Sequence, residues 1–286
     1  MRIDGHQHFW RYRPEEYPWI GAGMERLAHD HLPADLGPLA AAVGIEGTVA
    51  VQARQSVAET EWLLDLADTT SLVRGVVGWV DLRSETVADD LVRLARRPAL
   101  VGIRHVVQDE PDPRFLLGAA FVRGIGQLAT HGLAYDLLVY PHQLPAAEEL
   151  VAHFPGQRFV LDHLGKPRVK SGAVAPWRDD IARLARHPHC WCKLSGLVTE
   201  AAWQGWSRAQ FTPYLEVSLE VFSPARLLFG SDWPVCTLAA PYADVVGIVE
   251  DFVARLTATE RRAIMGDNAA AFYRLPDATA PTERRR

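Results

Sequence analysis

The chain has 286 residues, 48% hydrophobic and 23% charged, with a formal net charge of -5. Those values fit a globular protein with a sizeable core, either two modest domains or one α/β barrel of about 250 residues. The terminal Arg284–Arg286 is the only basic cluster, which argues against nucleic acid as a principal partner, and no apolar run approaches membrane-spanning length.

The first β-rich run is RIDGHQHF, and in a strand it would turn Asp4, His6 and His8 to one face. Three titratable groups on one face do not suit a packing surface. GTVAVQA (47–53) comes next and is followed by helical spacing in AETEWLLDLAD. RGVVGWVDL (74–82) precedes ETVADDLVRLARR, and LVGIRHVV (100–107) leads through an acidic loop into RFLLGAAFVRGIGQLATHG. AYDLLVY (134–140) precedes LPAAEELVAHF, and RFVLDHLG (158–165) precedes WRDDIARLARHP. CWCKLSGL (190–197) comes before a Trp-rich piece and PYLEVSLEVF; RLLFGSDWP (226–234) precedes YADVVGIVEDFVARL. The helical segments carry apolar residues at i, i+3 and i+4, as one-sided packing requires.

Eight strands, each followed by a helix, predict a parallel sheet closed into a single (β/α)8 barrel over residues 1–275, with 276–286 as a disordered polar tail. An open doubly wound sheet is disfavoured because no glycine-rich phosphate loop follows the first strand. Three cysteines, Cys190, Cys192 and Cys236, are too few and too odd for a disulfide scaffold and point to a reducing compartment. With nothing before the first strand that reads as a signal peptide, a cytoplasmic location is expected.

Catalytic groups of such barrels lie at the C-terminal ends of the strands. His6 and His8 end the first strand, His163 ends the sixth in VLDH, and Asp232 ends the eighth in FGSD. Strands one and eight are neighbours in a closed barrel, so these four groups should converge. For Asp232 the competing role is a helix cap, and for His163 a satisfied core histidine. Around them, Gln52 and Arg54 end strand two, Trp79 and Asp81 strand three, Arg104 and His105 strand four, while Lys193 and Ser195 share a face near the end of strand seven. Donors spread over several strand ends suit a polyhydroxylated ligand, and Trp79 could offer its face to a sugar ring. The expected substrate contacts are therefore Gln52, Arg54, Trp79, Arg104, His105 and Lys193. The acidic QDEPD (108–112) reads as a solvated loop or lid, His142 as a candidate extra ligand after strand five, and the Trp-rich 200–211 as a cover for the mouth.

In IDGHQHFW, EYPWI, VAVQARQS, VGWVDL, GIRHVVQDEPD, VLDHLGKP, CKLSGL and LLFGSDWPVC, the chain resembles the amidohydrolase superfamily, and within it the sugar-lactonase branch of L-fuconolactonases, L-rhamnonolactonases and pyrone-dicarboxylate lactonases. The resemblance implies a hydrolase that opens a sugar lactone to the aldonic acid. Asp232 would serve as general base and then acid, His163 would assist it, and His6, His8 and Asp232 would be metal ligands. Strand four reads GIRHV and strand five AYDLLV, so the bridging Lys or Glu and the strand-five histidine of binuclear members are missing. That implies one divalent ion, zinc by the chemistry of the donors, and leaves metal-independent catalysis open. A small sugar lactone is then the expected partner, with no membrane or nucleic acid and no stated oligomeric state. The alternative reading is a metal-dependent decarboxylase or hydratase on the same barrel.

Overall fold

Eight parallel strands pair in chain order: β1 Ile3–Gln7, β2 Gly47–Val51, β3 Val73–Gly78, β4 Leu100–His105, β5 Ala134–Leu137, β6 Phe159–Leu161, β7 Cys190–Leu194 and β8 Leu227–Phe229. The structure is a computed structural model that describes residues 1–275; the tail expected over 276–286 lies outside the described residues. Helices follow the strands: α1 Pro33–Ala42, α2 Val57–Thr69, α3 Val87–Leu94, α4 Ala119–Leu128, α5 Leu144–His153, α6 Trp177–Ala185, α7 Leu197–Glu200, α8 Thr212–Phe222, α9 Tyr242–Val253, α10 Ala258–Arg262 and α11 Asn268–Tyr273. This is the (β/α)8 barrel that the alternation predicts. Among the described residues no helix is long and apolar enough to cross a membrane. Cys190, Cys192 and Cys236 are buried and free.

Two strands stop earlier than the β-rich runs suggest. The sixth ends at Leu161 and the eighth at Phe229, so His163 and Asp232 stand beyond their strands rather than on them. The reason lies in the backbone, because His163 has φ 53° and Asp232 φ 60° and neither can continue a pleat.

No ladder joins β8 to β1. The barrel closes instead through hydrogen bonds from the residues just past β8: Asp232 N donates to the His6 carbonyl at 2.8 Å and His8 N to the Trp233 carbonyl at 2.6 Å. Asp4 reinforces this seam from within, accepting from His6 N at 3.1 Å, Ser231 N at 2.8 Å and the Tyr242 hydroxyl at 3.1 Å. The backbones approach so closely that a Cβ on Gly230 would lie 2.6 Å from that of His6.

The opposite end is sealed. Val49, Val51, Val77, Val101, Val160 and Leu228 from the strands pack with Ala269, Phe272 and Tyr273 of α11 in one buried cluster. Side chains that alternate with these pack outward against the helices in a larger core that includes Cys190 and Cys192. The barrel therefore offers solvent only its C-terminal mouth.

Candidate functional site

At that mouth opens a cavity of about 810 Å3, whose lining includes His8, His163, Asp232, Arg54 and Arg104. Three imidazoles face one carboxylate oxygen. Asp232 Oδ1 is 3.3 Å from His8 Nε2, 3.8 Å from His6 Nε2 and 3.8 Å from His163 Nε2. The four residues expected to converge therefore do so.

Each ring is oriented from behind. His8 Nδ1 is 2.8 Å from the Val51 carbonyl, which must receive a proton, so Nε2 is left with its lone pair toward the cavity. His163 Nδ1 lies 2.8 Å from Ser195 Oγ. His6 Nδ1 sits 2.9 Å from Lys193 Nζ and 3.4 Å from Asp162 Oδ1.

His163 reaches this position through an unusual turn. His163, Leu164, Gly165 and Lys166 all have positive φ, between 52° and 69°, and Lys166 N closes the turn on the His163 carbonyl at 2.8 Å. Left-handed backbone costs about 1–2 kcal/mol for each of the three non-glycine residues. Trp177 Nε1, donating to the Leu164 carbonyl at 2.6 Å, and Ser195 hold it in place. Gly196 makes room for it, since a Cβ there would lie 2.5 Å from the His163 ring.

Electrostatics keep these groups in the protonation states that ligation requires. Burial pushes His163 down to about 4, against the pull of Asp232. Burial and then the Lys193 ammonium hold His6 well below the ordinary histidine range. Burial alone would raise the Asp232 carboxyl, but the imidazoles of His163, His8 and His6 more than offset it and hold it well below the ordinary carboxylate range. A neutral His6 and a neutral His163 beside an ionised Asp232 suit a metal. Two overlapping buried sets meet the geometry: His6, His8 and Asp232, and His6, Asp162 and His163.

The six residues expected to contact a ligand divide into two groups. Arg54 and Arg104 line the cavity. Gln52, Trp79, His105 and Lys193 are not on its lining. Gln52 is fully buried and accepts from Arg104 Nη2 at 2.9 Å, while Lys193 bridges Asp136 at 2.6 Å and Asp162 at 2.9 Å beneath the site. Trp79 donates to His105 Nδ1 at 3.3 Å, and His105 in turn meets Glu110 at 2.7 Å and stacks on Phe115. The expected sugar-facing role of Trp79 is thus corrected: its indole is engaged in the wall behind β3 and β4. His142 and the 108–112 segment split likewise, with Gln108 and Asp109 on the lining and His142 off it.

The lining also includes Glu16, Trp19, Tyr140, Lys166 and Thr199, none of which carried an expected site role, and Glu200, which opens the 200–211 segment expected to cover the mouth. From the Trp-rich segment Trp203 reaches it, with its Nε1 on the Thr199 carbonyl at 3.1 Å. Only the GKP that follows LDHL carried a usable signal, in the form of a lysine beside a glycine just past a strand end.

The amidohydrolase family model matches residues 3–275. The chain is 46% identical over 288 residues to an L-fucono-1,5-lactonase of Burkholderia multivorans, covering 97% of each chain. It is 38% identical over 279 residues to an L-fucono-1,5-lactonase of Burkholderia ambifaria, covering 96% of each. A crystal structure of an amidohydrolase from Burkholderia multivorans with bound zinc matches it with a TM-score of 0.93 at 46% identity, covering 96% of this chain and 100% of that one.

Proposed function

The chain belongs to the amidohydrolase family, and on that premise we propose that it hydrolyses a sugar lactone, L-fucono-1,5-lactone or a close relative, to the open-chain aldonic acid. The observation that carries the reading is the convergence of three imidazoles on Asp232 Oδ1 at the floor of a cavity lined by charged donors. The relatives named as L-fucono-1,5-lactonases support the substrate class.

Ester hydrolysis needs an activated water, stabilisation of the oxyanion and a proton for the leaving alkoxide. Asp232 accepts the proton of the attacking water and returns it to the ring oxygen as the C–O bond breaks. When Ser195 donates to His163 Nδ1, the proton of that ring sits on Nε2, where it can be donated to the carbonyl oxygen as it becomes negative. Arg54 and Arg104 orient the lactone from the β2 and β4 side. Gln52 holds Arg104, and Lys193 holds His6.

His6, His8 and Asp232 would hold a single divalent ion, zinc on the nitrogen and oxygen donor set. When bound, the ion supplies polarisation of the carbonyl and acidification of water. Arg104 Nη1 stands 3.3 Å from His6 Nε2, and that fixed positive charge disfavours a second cation beside the first.

A pH-indicator assay across an aldonolactone panel, before and after chelation, tests the reading. Acid release should be fastest with L-fucono- and L-rhamnono-type lactones, and metal analysis should find no more than one equivalent per chain. Absence of acid release across the panel, or carbon dioxide release from an aromatic acid instead, would overturn it.

A further inference from the structure

Two ion pairs border the cavity, and they differ in one respect. Arg54 Nη1 meets Glu16 Oε2 at 2.8 Å, a complete charge-assisted hydrogen bond. Lys166 Nζ stands 3.6 Å from Glu200 Oε1, outside that range, and lies 5.3 Å above the Tyr140 ring. Both side chains are largely buried, with 16% of Lys166 and 21% of Glu200 exposed. A half-buried ammonium and a half-buried carboxylate that line a cavity at a separation too long for a hydrogen bond between them can each still bond to a ligand.

The left-handed turn explains why Lys166 is there. The same four residues that aim His163 at Asp232 end with Lys166, so its backbone is placed beside the reacting groups by the turn, and its ammonium reaches the Tyr140 ring and Glu200 from there. Glu200 ends α7, directly after β7, and it belongs to the same wall as Thr199 and Trp203.

The ammonium only donates and the carboxylate only accepts. A hydroxyl does both. We propose that Lys166 and Glu200 form a clamp for two adjacent ring hydroxyls of the substrate, one accepting from Lys166 and the other donating to Glu200. The clamp rests on the lactonase reading and narrows it. It favours neutral lactones with neighbouring hydroxyls and rejects lactones carrying a carboxylate at that position, which would stand against Glu200. Lys166 and Glu200 are thereby specificity-determining residues, separate from the groups that act on the ester bond.

The test compares wild type, Lys166→Met and Glu200→Gln on L-fucono-1,5-lactone and on δ-valerolactone, the same ring without hydroxyls. Each variant should lower kcat/KM for the polyhydroxy lactone relative to that for the bare ring by roughly 10- to 100-fold, the range for losing a hydrogen bond to a charged group. The double variant should lose little more than either single one, because half a clamp holds no diol. Equal losses on both lactones would overturn the proposal by moving the pair to the reacting bond, and no loss on either would overturn it outright. Calorimetric binding of a 1,5-anhydrohexitol, a cyclic polyol with no ester, separates the two readings. If wild type opens neither lactone, the lactonase reading falls. The clamp still stands if the polyol binds wild type more tightly than Lys166→Met, and falls if the two bind it alike.

Discussion

Around Lys193 opposite charges meet directly. Its ammonium is 2.6 Å from Asp136 and 2.9 Å from Asp162, the Tyr273 hydroxyl donates to Asp136 at 2.7 Å, and Arg104 donates to Asp162 at 3.0 Å. Around Asp232, just above it across the His6 ring, three imidazole nitrogens stand 3.3–3.8 Å from one oxygen, longer than the contacts of Lys193. Both clusters are buried. The difference is in pairing, since one cluster sets carboxylates directly against cations and the other gathers three imidazoles around one carboxylate oxygen at the cavity. Directly paired charge holds a structure together, whereas possible ligand atoms gathered at a cavity can take a ligand.

The largest expected effect tests the cluster at the cavity. Asp232→Asn keeps the shape and removes the base, and general acid–base catalysis is worth typically about 10² to 10⁴ in rate. The turnover number should fall at least that far, with KM moving much less and the protein still folded by circular dichroism. A folded variant with near-normal turnover would return Asp232 to a helix-capping role.

The next effect tests the ion-paired cluster beneath it. Lys193→Met leaves the buried Asp136 and Asp162 with fewer partners, and breaking one side of a buried ion pair costs about 3–5 kcal/mol. Urea unfolding at neutral pH should read a loss of that size. If Lys193→Met matched wild type in stability, the floor would not be the structural counterpart of the mouth.

The contrast between the two clusters also sets what could be read from the sequence. His6, His8, His163 and Asp232 were legible because their residue types are rare on strand ends and because closing an eight-strand barrel must bring strands one and eight together. The strand count was legible for a similar reason, since apolar runs alternate with helical spacing. The ends of β6 and β8 fall where the first apolar stretches of RFVLDHLG and RLLFGSDWP stop, at Leu161 and Phe229, short of the polar residues that follow in those runs. Lys166 carried no expected role because a left-handed turn leaves no periodic trace, whereas Glu200 opens the 200–211 segment expected to cover the mouth, with no role of its own assigned there. Trp79 was misread for the opposite reason. Its place at a strand end was correctly inferred, but a partner on the neighbouring strand, His105, claimed its indole.

A smaller effect probes how the floor is held. Tyr273 is the residue of α11 that reaches Asp136 from the sealed end. Tyr273→Phe keeps the packing and deletes one hydrogen bond to a charged group, worth about 1.5–3 kcal/mol. Thermal or urea unfolding should register that loss with kcat/KM little changed. A collapse of kcat/KM at unchanged stability would mean that α11 serves the mouth and not the floor.

The smallest effect concerns pH and sets the rim of the mouth against the floor. His31 packs between Trp10 and Trp233, with ring centroids 5.0 and 5.3 Å away. Burial, and after it the charge of His29, lowers its pKa to about 4 from the ordinary histidine value near 6.5. A value depressed in the folded state means that stability is complete above about 6.5 and is lost as pH falls from there through about 4. Asp136 on the floor has the opposite sign. Burial raises it to about 6, so its contribution is complete below the ordinary carboxylate value and is lost as pH rises through about 6. Acidification should therefore weaken the rim through the same pH range in which it relieves the floor. His31→Phe keeps an aromatic ring against the two tryptophans and removes a ring whose buried Nε2 has no partner. Its unfolding free energy should fall less than that of wild type between pH 7 and pH 5, while the His163 contribution, with the same direction, remains in both. Identical slopes in the two proteins would show that His31 does not take up its proton on unfolding, and the acid sensitivity would then belong to the site histidines alone.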